Sequence, residues 1–200
     1  MLRVHGPTLG LRYPADRDAP ALLALAGDAS VTRYFSWGPY RDVEEPRAWV
    51  RSLPARRRTG TALEFVVVDA SDAPIGVIML AELSARDRRA VIGTWLGRAH
   101  WGTGANFEAK ALIAALAFGP LGLRRLGAYS DARNARSQSA LERVGFARDG
   151  VLRDFHRHGR HTRTVVVYSL LAREYTTSEL AKVPIRISGA APKAFRPAAS

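Results

Sequence analysis

The run Arg98-Ala-His-Trp-Gly102-Thr-Gly104-Ala-Asn106 sets two glycines two residues apart. It falls where a strand-like apolar stretch, residues 90–96 (AVIGTWL), gives way to a helix-like one, residues 107–118. Glycine lets the backbone approach a ligand closely. The first amides of a helix have no intrahelical partner, and the helix dipole adds a positive end. Together these suit a phosphate group. The loop is not that of a nucleoside-triphosphate hydrolase, since no Gly-Lys-Ser/Thr follows. It is not a dinucleotide fingerprint either, since the third glycine and the parallel βαβ setting are missing. Cysteine is absent. That excludes a thiolate metal site, a cysteine nucleophile, a disulfide scaffold and a Cys redox pair.

The elements around this loop follow from hydrophobic period and turn signals. Residues 8–13 (TLGLRY) alternate weakly and predict an edge strand ending at Pro14. Residues 16–28 and 42–56 predict helices, the second with Asp42 as N-cap. Residues 62–69, 75–83 and 90–96 predict a three-stranded antiparallel meander. After the glycine loop come a helix over 107–118, a strand over 123–129 and a helix over 134–144. Strands over 146–154 and 164–171 form a hairpin across residues 157–160. The expected fold is a single α+β domain over residues 1–175. Its sheet is mixed, mostly antiparallel and twisted, with six to seven strands and four helices, one crossover making two central strands parallel. From residue 176 the composition shifts to Pro, Ala, Ser and Lys, which predicts a C-terminal tail over 176–200.

The chain has 200 residues, 47% of them apolar, which suits one core and excludes wholesale disorder. No apolar run approaches the ~20 residues of a membrane helix, and the N-terminus lacks the apolar stretch of a signal peptide. A cytoplasmic protein is expected, with no membrane contact. The net charge is +12, from 30 Lys+Arg against 18 Asp+Glu. All but Lys110, Lys182 and Lys193 of those cations are arginine, a bias that reads as a GC-rich coding composition. Such a balance still favours something acidic as a partner: nucleic acid, ribosome or a phosphorylated cofactor.

Ile92-Gly93-Thr94-Trp95-Leu96 followed by WGTGANFEAKALI resembles motif A of the GNAT superfamily of acetyl-CoA-dependent N-acetyltransferases. Asn134-Ala-Arg-Ser137, then Leu141-Glu142-Arg-Val-Gly145-Phe146, resembles its motif B. Gly150-Val-Leu-Arg153-Asp and Tyr168-Ser-Leu-Leu171 are similar to the end of the branch that acetylates N-termini of ribosomal proteins. The resemblance spans about residues 8–175, in order. It implies that the strands at 90–96 and 123–129 splay apart and take the pantetheine arm of acetyl-CoA between them. It places the pyrophosphate on Gly102, Thr103, Gly104, Ala105 and Asn106, with Leu96, Arg98, Trp101 and Asn134 as further cofactor-side residues. The thioester carbonyl is polarised by a backbone N–H of the first splayed strand. No metal is implied.

The sequence departs from the family pattern at three places. Ala99 stands where the loop usually opens with Gln or Arg. Leu141 stands where many members carry a general-acid Tyr, and Val91 near where a Glu is common. Ser137 matches a serine of the ribosomal branch and is the candidate for assisting the departing thiolate. A proton acceptor for the amine is also needed. His156 falls about where that branch has a carboxylate; Glu82 is the rival. His100 sits beside the glycine loop and is expected to contact cofactor or solvent, and Asp131 could orient a base. Tyr34, Phe35 and Trp37, with Tyr40, form an aromatic loop expected to wall the acceptor. The implied reaction is direct attack of a primary amine on acetyl-CoA in a ternary complex. The acceptor is a protein N-terminus or a small amine such as an antibiotic. The alternative is a catalytically quiet module of the same fold that binds CoA, RNA or the ribosome. A homodimer remains open.

Overall fold

The structure is a computed structural model that describes residues 1–195. Its sheet is built round β3 (Ala62–Val68), in which all seven residues are buried. Leu63, Phe65 and Val67 point into a large core beneath helix α4 (Ala105–Phe118). Val66 and Val68 point the other way, onto Leu22 of α1 (Ala19–Ala26) and Val50 of α3 (Glu44–Thr59). A strand covered on both faces reads as a continuous apolar run, which is what ALEFVVV is.

Among the described residues nine strands make one sheet, in the order β7-β8-β6-β5-β4-β3-β2-β1-β9. The others are β1 (Arg3–His5), β2 (Gly10–Arg12), β4 (Pro74–Ser84), β5 (Arg89–Leu96), β6 (Arg125–Asp131), β7 (Ala147–His158), β8 (His161–Leu171) and β9 (Arg186–Ser188). Every pairing is antiparallel except β5 with β6, which α4 connects. This is the mixed α+β sheet the sequence predicts. Two strands beyond the expected count, β1 and β9, have three residues each, too few to show a period. Two short helices, α2 (Ala29–Thr32) and α6 (Ala172–Tyr175), are equally below that threshold. The helix α5 (Ala135–Arg143) completes the set. Asp42 does cap α3: its Oδ1 accepts from the amides of Glu44 and Glu45 at 2.9 and 3.2 Å.

Two expectations change. The strand at residues 8–13 is no edge: β2 lies between β1 and β3. In the stretch expected as a tail, residues 176–195 pack on the domain, and residues 196–200 lie outside the described residues. Leu180 and Phe195 are 1% and 2% exposed, and β9 extends the sheet beside β1. A few apolar anchors suffice to dock a segment whose average composition is polar.

At the far side, Arg12 and Asp18 form a buried bidentate pair, with both N–O distances 2.8 Å. Asp18 also accepts the Ala15 amide at 2.8 Å, so the pair fixes the entry into α1.

Candidate active site

The parallel ladder between β5 and β6 runs only from Arg89–Arg125 to Ile92–Ala128. Beyond it β5 stays with β4 as far as Leu96, and β6 stays with β8 as far as Asp131. The two strands part, so residues 93–96 and 129–131 face one another across an unpaired gap. Backbone groups on the gap side of β5 have no strand partner there, and an N–H so placed can polarise a carbonyl.

The glycine loop closes one end of the gap. Trp101 anchors it by donating its indole N–H to the Leu96 carbonyl at 2.8 Å. The Arg136 guanidinium of α5 lies over the same ring, 3.3 Å from its centroid. Thr103 Oγ1 donates to the His100 carbonyl at 3.0 Å and accepts the Ala105 amide at 3.4 Å. The amides of Phe107 and Glu108 both return to the Gly104 carbonyl. Gly102 and Gly104 have φ of +78° and +90°, a region that favours glycine. A Cβ at either would meet nothing within 4 Å. The loop therefore presents bare backbone at the N-terminus of a 14-residue helix, a surface that fits a pyrophosphate.

The side chains around the loop do other work. Asn106 turns its Oδ1 to Lys110 Nζ at 2.5 Å. Lys110 is buried, and that burial pushes its ammonium pKa down to about 7. Asn134 caps α5, its Oδ1 accepting the Ser137 amide at 3.2 Å. Ser137 thus sits in the first turn of α5. Arg98 opens the short 3-10 turn Arg98–His100, and its carbonyl accepts the Trp101 amide at 3.1 Å.

Where the gap begins, the two candidate proton acceptors converge on one residue. Tyr129, the first β6 residue past the ladder, donates its hydroxyl to Glu82 Oε2 at 3.2 Å. Glu82 reaches it from an irregular turn of β4, where the register slips and φ is +50°. His156 stands edge-on to the Tyr129 ring at 5.5 Å, and Phe155 packs on both at 5.2 and 4.8 Å. Burial first, then the Glu82 charge, raises the Tyr129 pKa, so its phenol stays protonated. Ser137 is not part of this cluster.

The aromatic loop lies nearby. Phe35 stacks on Trp37 at 5.3 Å and Trp37 on Tyr40 at 5.0 Å, and Trp37 meets Trp95 of β5 edge-on at 6.0 Å. Tyr34 donates its hydroxyl to the Arg133 carbonyl at 3.3 Å, tying the loop to the turn after β6. Burial raises the Asp131 pKa, but hydrogen bonds from Arg133 and Arg163 outweigh this and hold it below the usual carboxylate range. Asp131 therefore stays ionised as the hub of that turn. His100 stays beside the glycine loop.

Sequence reasoning missed Tyr129, Trp95 and Arg136. Tyr129 could have been found as the last residue of a predicted strand, on the face opposite the buried Leu126 and Ala128. Nothing in the sequence brings Arg136 to Trp101.

A family model described as "Acetyltransferase (GNAT) domain" matches residues 8–147. The chain belongs to the GNAT acetyltransferases. It is 32% identical over 176 residues to the uncharacterized N-acetyltransferase p20 of Bacillus licheniformis, covering 88% of this chain and 99% of that one. Two solved structures share the fold. Mycobacterium smegmatis RimJ in complex with CoA-disulfide superposes with a TM-score of 0.78 at 23% identity, over 90% of this chain and 92% of that one. Spermidine N-acetyltransferase from Vibrio cholerae, in complex with CoA and spermine, gives 0.72 at 21%, over 84% and 98%. This acetyltransferase is thus an acyltransferase enzyme. Among its described residues no helix is long and apolar enough to cross a membrane.

Proposed function

We propose that the enzyme transfers the acetyl group of acetyl-CoA to a primary amine by direct attack within a ternary complex. The observation that carries this is the splay between β5 and β6, with a bare glycine loop at one end and Glu82, Tyr129 and His156 at the other. Acetyl-CoA supplies the reactive thioester. Residues 102–106 would hold its pyrophosphate through backbone N–H groups and the α4 dipole. A free N–H on the gap side of β5 stabilises the developing oxyanion.

The protein's own groups then manage protons. The Tyr129 hydroxyl is committed to Glu82, and we take His156, whose ring contacts are aromatic, as the base for the amine proton, directly or through water. Ser137, half-buried in the first turn of α5, would donate to the departing thiolate. Tyr34, Phe35 and Trp37 wall the acceptor. Nothing in this route calls for a metal. Release of free CoA thiol from acetyl-CoA, measured against a panel of amines, tests the reading. Tight CoA binding without thiol release from any amine would instead support a quiet CoA-binding module.

A further inference from the structure

The charge of the chain is concentrated. Residues 124–173 hold eleven arginines and four acids, whereas the rest of the chain holds nineteen Lys+Arg and fourteen Asp+Glu. Residues 124–173 thus carry +7 of the net +12; the part that forms β6, α5, β7 and β8 with their turns, the wall on one side of the gap, holds nine of those arginines and all four acids, a net +5. All four acids of that wall are engaged. Asp131 takes Arg133 and Arg163, and Asp149 takes Arg125 and Ser169. Glu142 takes the Tyr168 hydroxyl, and Asp154 takes Thr162.

This positive wall meets the aromatic loop. Arg163 Nη1 donates to the Arg33 carbonyl at 3.3 Å while it also holds Asp131. The Arg33 guanidinium itself is exposed and lies over the Tyr34 ring, 5.6 Å from its centroid. His156 and His158 fall on the same side of β7, pointing with Arg163 toward the loop. The one carboxylate found on Tyr129, that of Glu82, already accepts its hydroxyl.

We propose that the acceptor is an amine that carries an anionic group, a phosphate or carboxylate, beyond its reactive nitrogen. This rests on the acetyl-transfer reading of the same site. Two physical consequences support it. A rim of one sign draws ligands of the other and raises their encounter rate. The same positive potential disfavours an ammonium next to it, so the site favours the neutral form of the acceptor nitrogen. A site of this kind needs only a weak base, which agrees with the absence of a family-type Tyr and Glu at Leu141 and Val91. It also rejects polyamines, whose second charge meets like charge.

The test compares kcat/KM by thiol release for matched acceptors. One set is ethanolamine phosphate, ethanolamine and spermidine. The other is two peptides with the same N-terminal serine, followed by acidic or by basic residues. The anionic member of at least one set should lead by about tenfold or more, and which set shows the lead separates a small metabolite from a protein terminus. That lead should shrink as salt is added. Arg33→Glu should reduce it several-fold, Arg33→Lys should retain it, and acetyl-CoA affinity by calorimetry should match wild type in both. Equal or better turnover of neutral and cationic acceptors overturns the proposal while leaving acetyl transfer intact. No thiol release with any amine overturns both.

Discussion

Tyr129 donates to Glu82 Oε2 at 3.2 Å although the two stand on strands that are not neighbours, β6 and β4, with β5 between them. The contact spans β5 because Glu82 leaves the ladder at a register slip, with φ of +50°. It fixes the first residue of β6 that has left its partner, so it helps set where the splay begins. It also gives the Glu82 carboxylate a donor, whereas His156 meets Tyr129 only through ring contact.

That difference is why we propose His156 as the base. Only neutral imidazole accepts a proton, so a His156 base gives the rate an acid limb. His156→Gln should remove this acid limb and lower turnover by about 100-fold, with acetyl-CoA affinity unchanged. Glu82→Gln should change the profile little. A wild-type pH profile in the His156 variant would transfer the role to Glu82 or to solvent.

Ser137 lies in the first turn of α5, where Asn134 fixes its backbone. A hydrogen bond to a developing thiolate is worth roughly 1.5–3 kcal/mol, so Ser137→Ala should lower the rate about 10- to 100-fold. Unchanged turnover on the acceptor would remove Ser137 from the mechanism.

Gly104 has open space around the Cβ position but a φ of +90°. Gly104→Val therefore meets no clash in the free protein, yet carries about 1–2 kcal/mol of backbone strain. The melting temperature should drop by roughly 2–8 °C. The branched side chain occupies the pyrophosphate surface, so acetyl-CoA affinity should fall by about tenfold or more. Equal affinities in calorimetry would show that the loop is not the cradle.

The elements with a strong period were legible in the sequence. β3 to β5 and α4 are long enough for alternation or a helical stripe to emerge, and the glycine loop sits between them. Three-residue strands carry no period, so β1 and β9 were invisible, and with them the packing of residues 176–195. The candidate site was legible as a set of residues and not as an arrangement. His156 and Glu82 were read as rivals for one role because neither sequence position says that Tyr129 stands between them. Asn106 and Asn134 read as cofactor contacts by position. In the fold their side chains also hold Lys110 and the N-terminus of α5. A one-dimensional match records which residue is present, and its hydrogen-bond partner depends on the tertiary fold.

The Arg12–Asp18 pair is a stability element far from the chemistry. Its side chains are 4% and 2% exposed. Removing one partner leaves the other charge buried, at a cost of about 3–5 kcal/mol. Asp18→Ala should lower the denaturant midpoint accordingly. Any enzyme that still folds should keep its affinity for acetyl-CoA. A midpoint shift within error would mean that Asp72, which also binds Arg12 at 2.9 Å, compensates alone.

Lys110 predicts an unusual dependence of stability on pH. Burial lowers its folded-state pKa to about 7, against about 10.4 in an unfolded chain. Between those values the unfolded state holds more protons than the folded one, so stability rises with pH. The slope from this group approaches about 1.4 kcal/mol per pH unit. Below pH 7 both states are protonated and the full penalty of a buried ammonium applies, relieved only by the Asn106 Oδ1 contact. Lys110→Met keeps the volume and removes the charge. It should raise stability at pH 7 and flatten the rise between pH 7 and 10, read from urea midpoints across that range. The wild-type slope surviving in the methionine variant would assign the effect to another group.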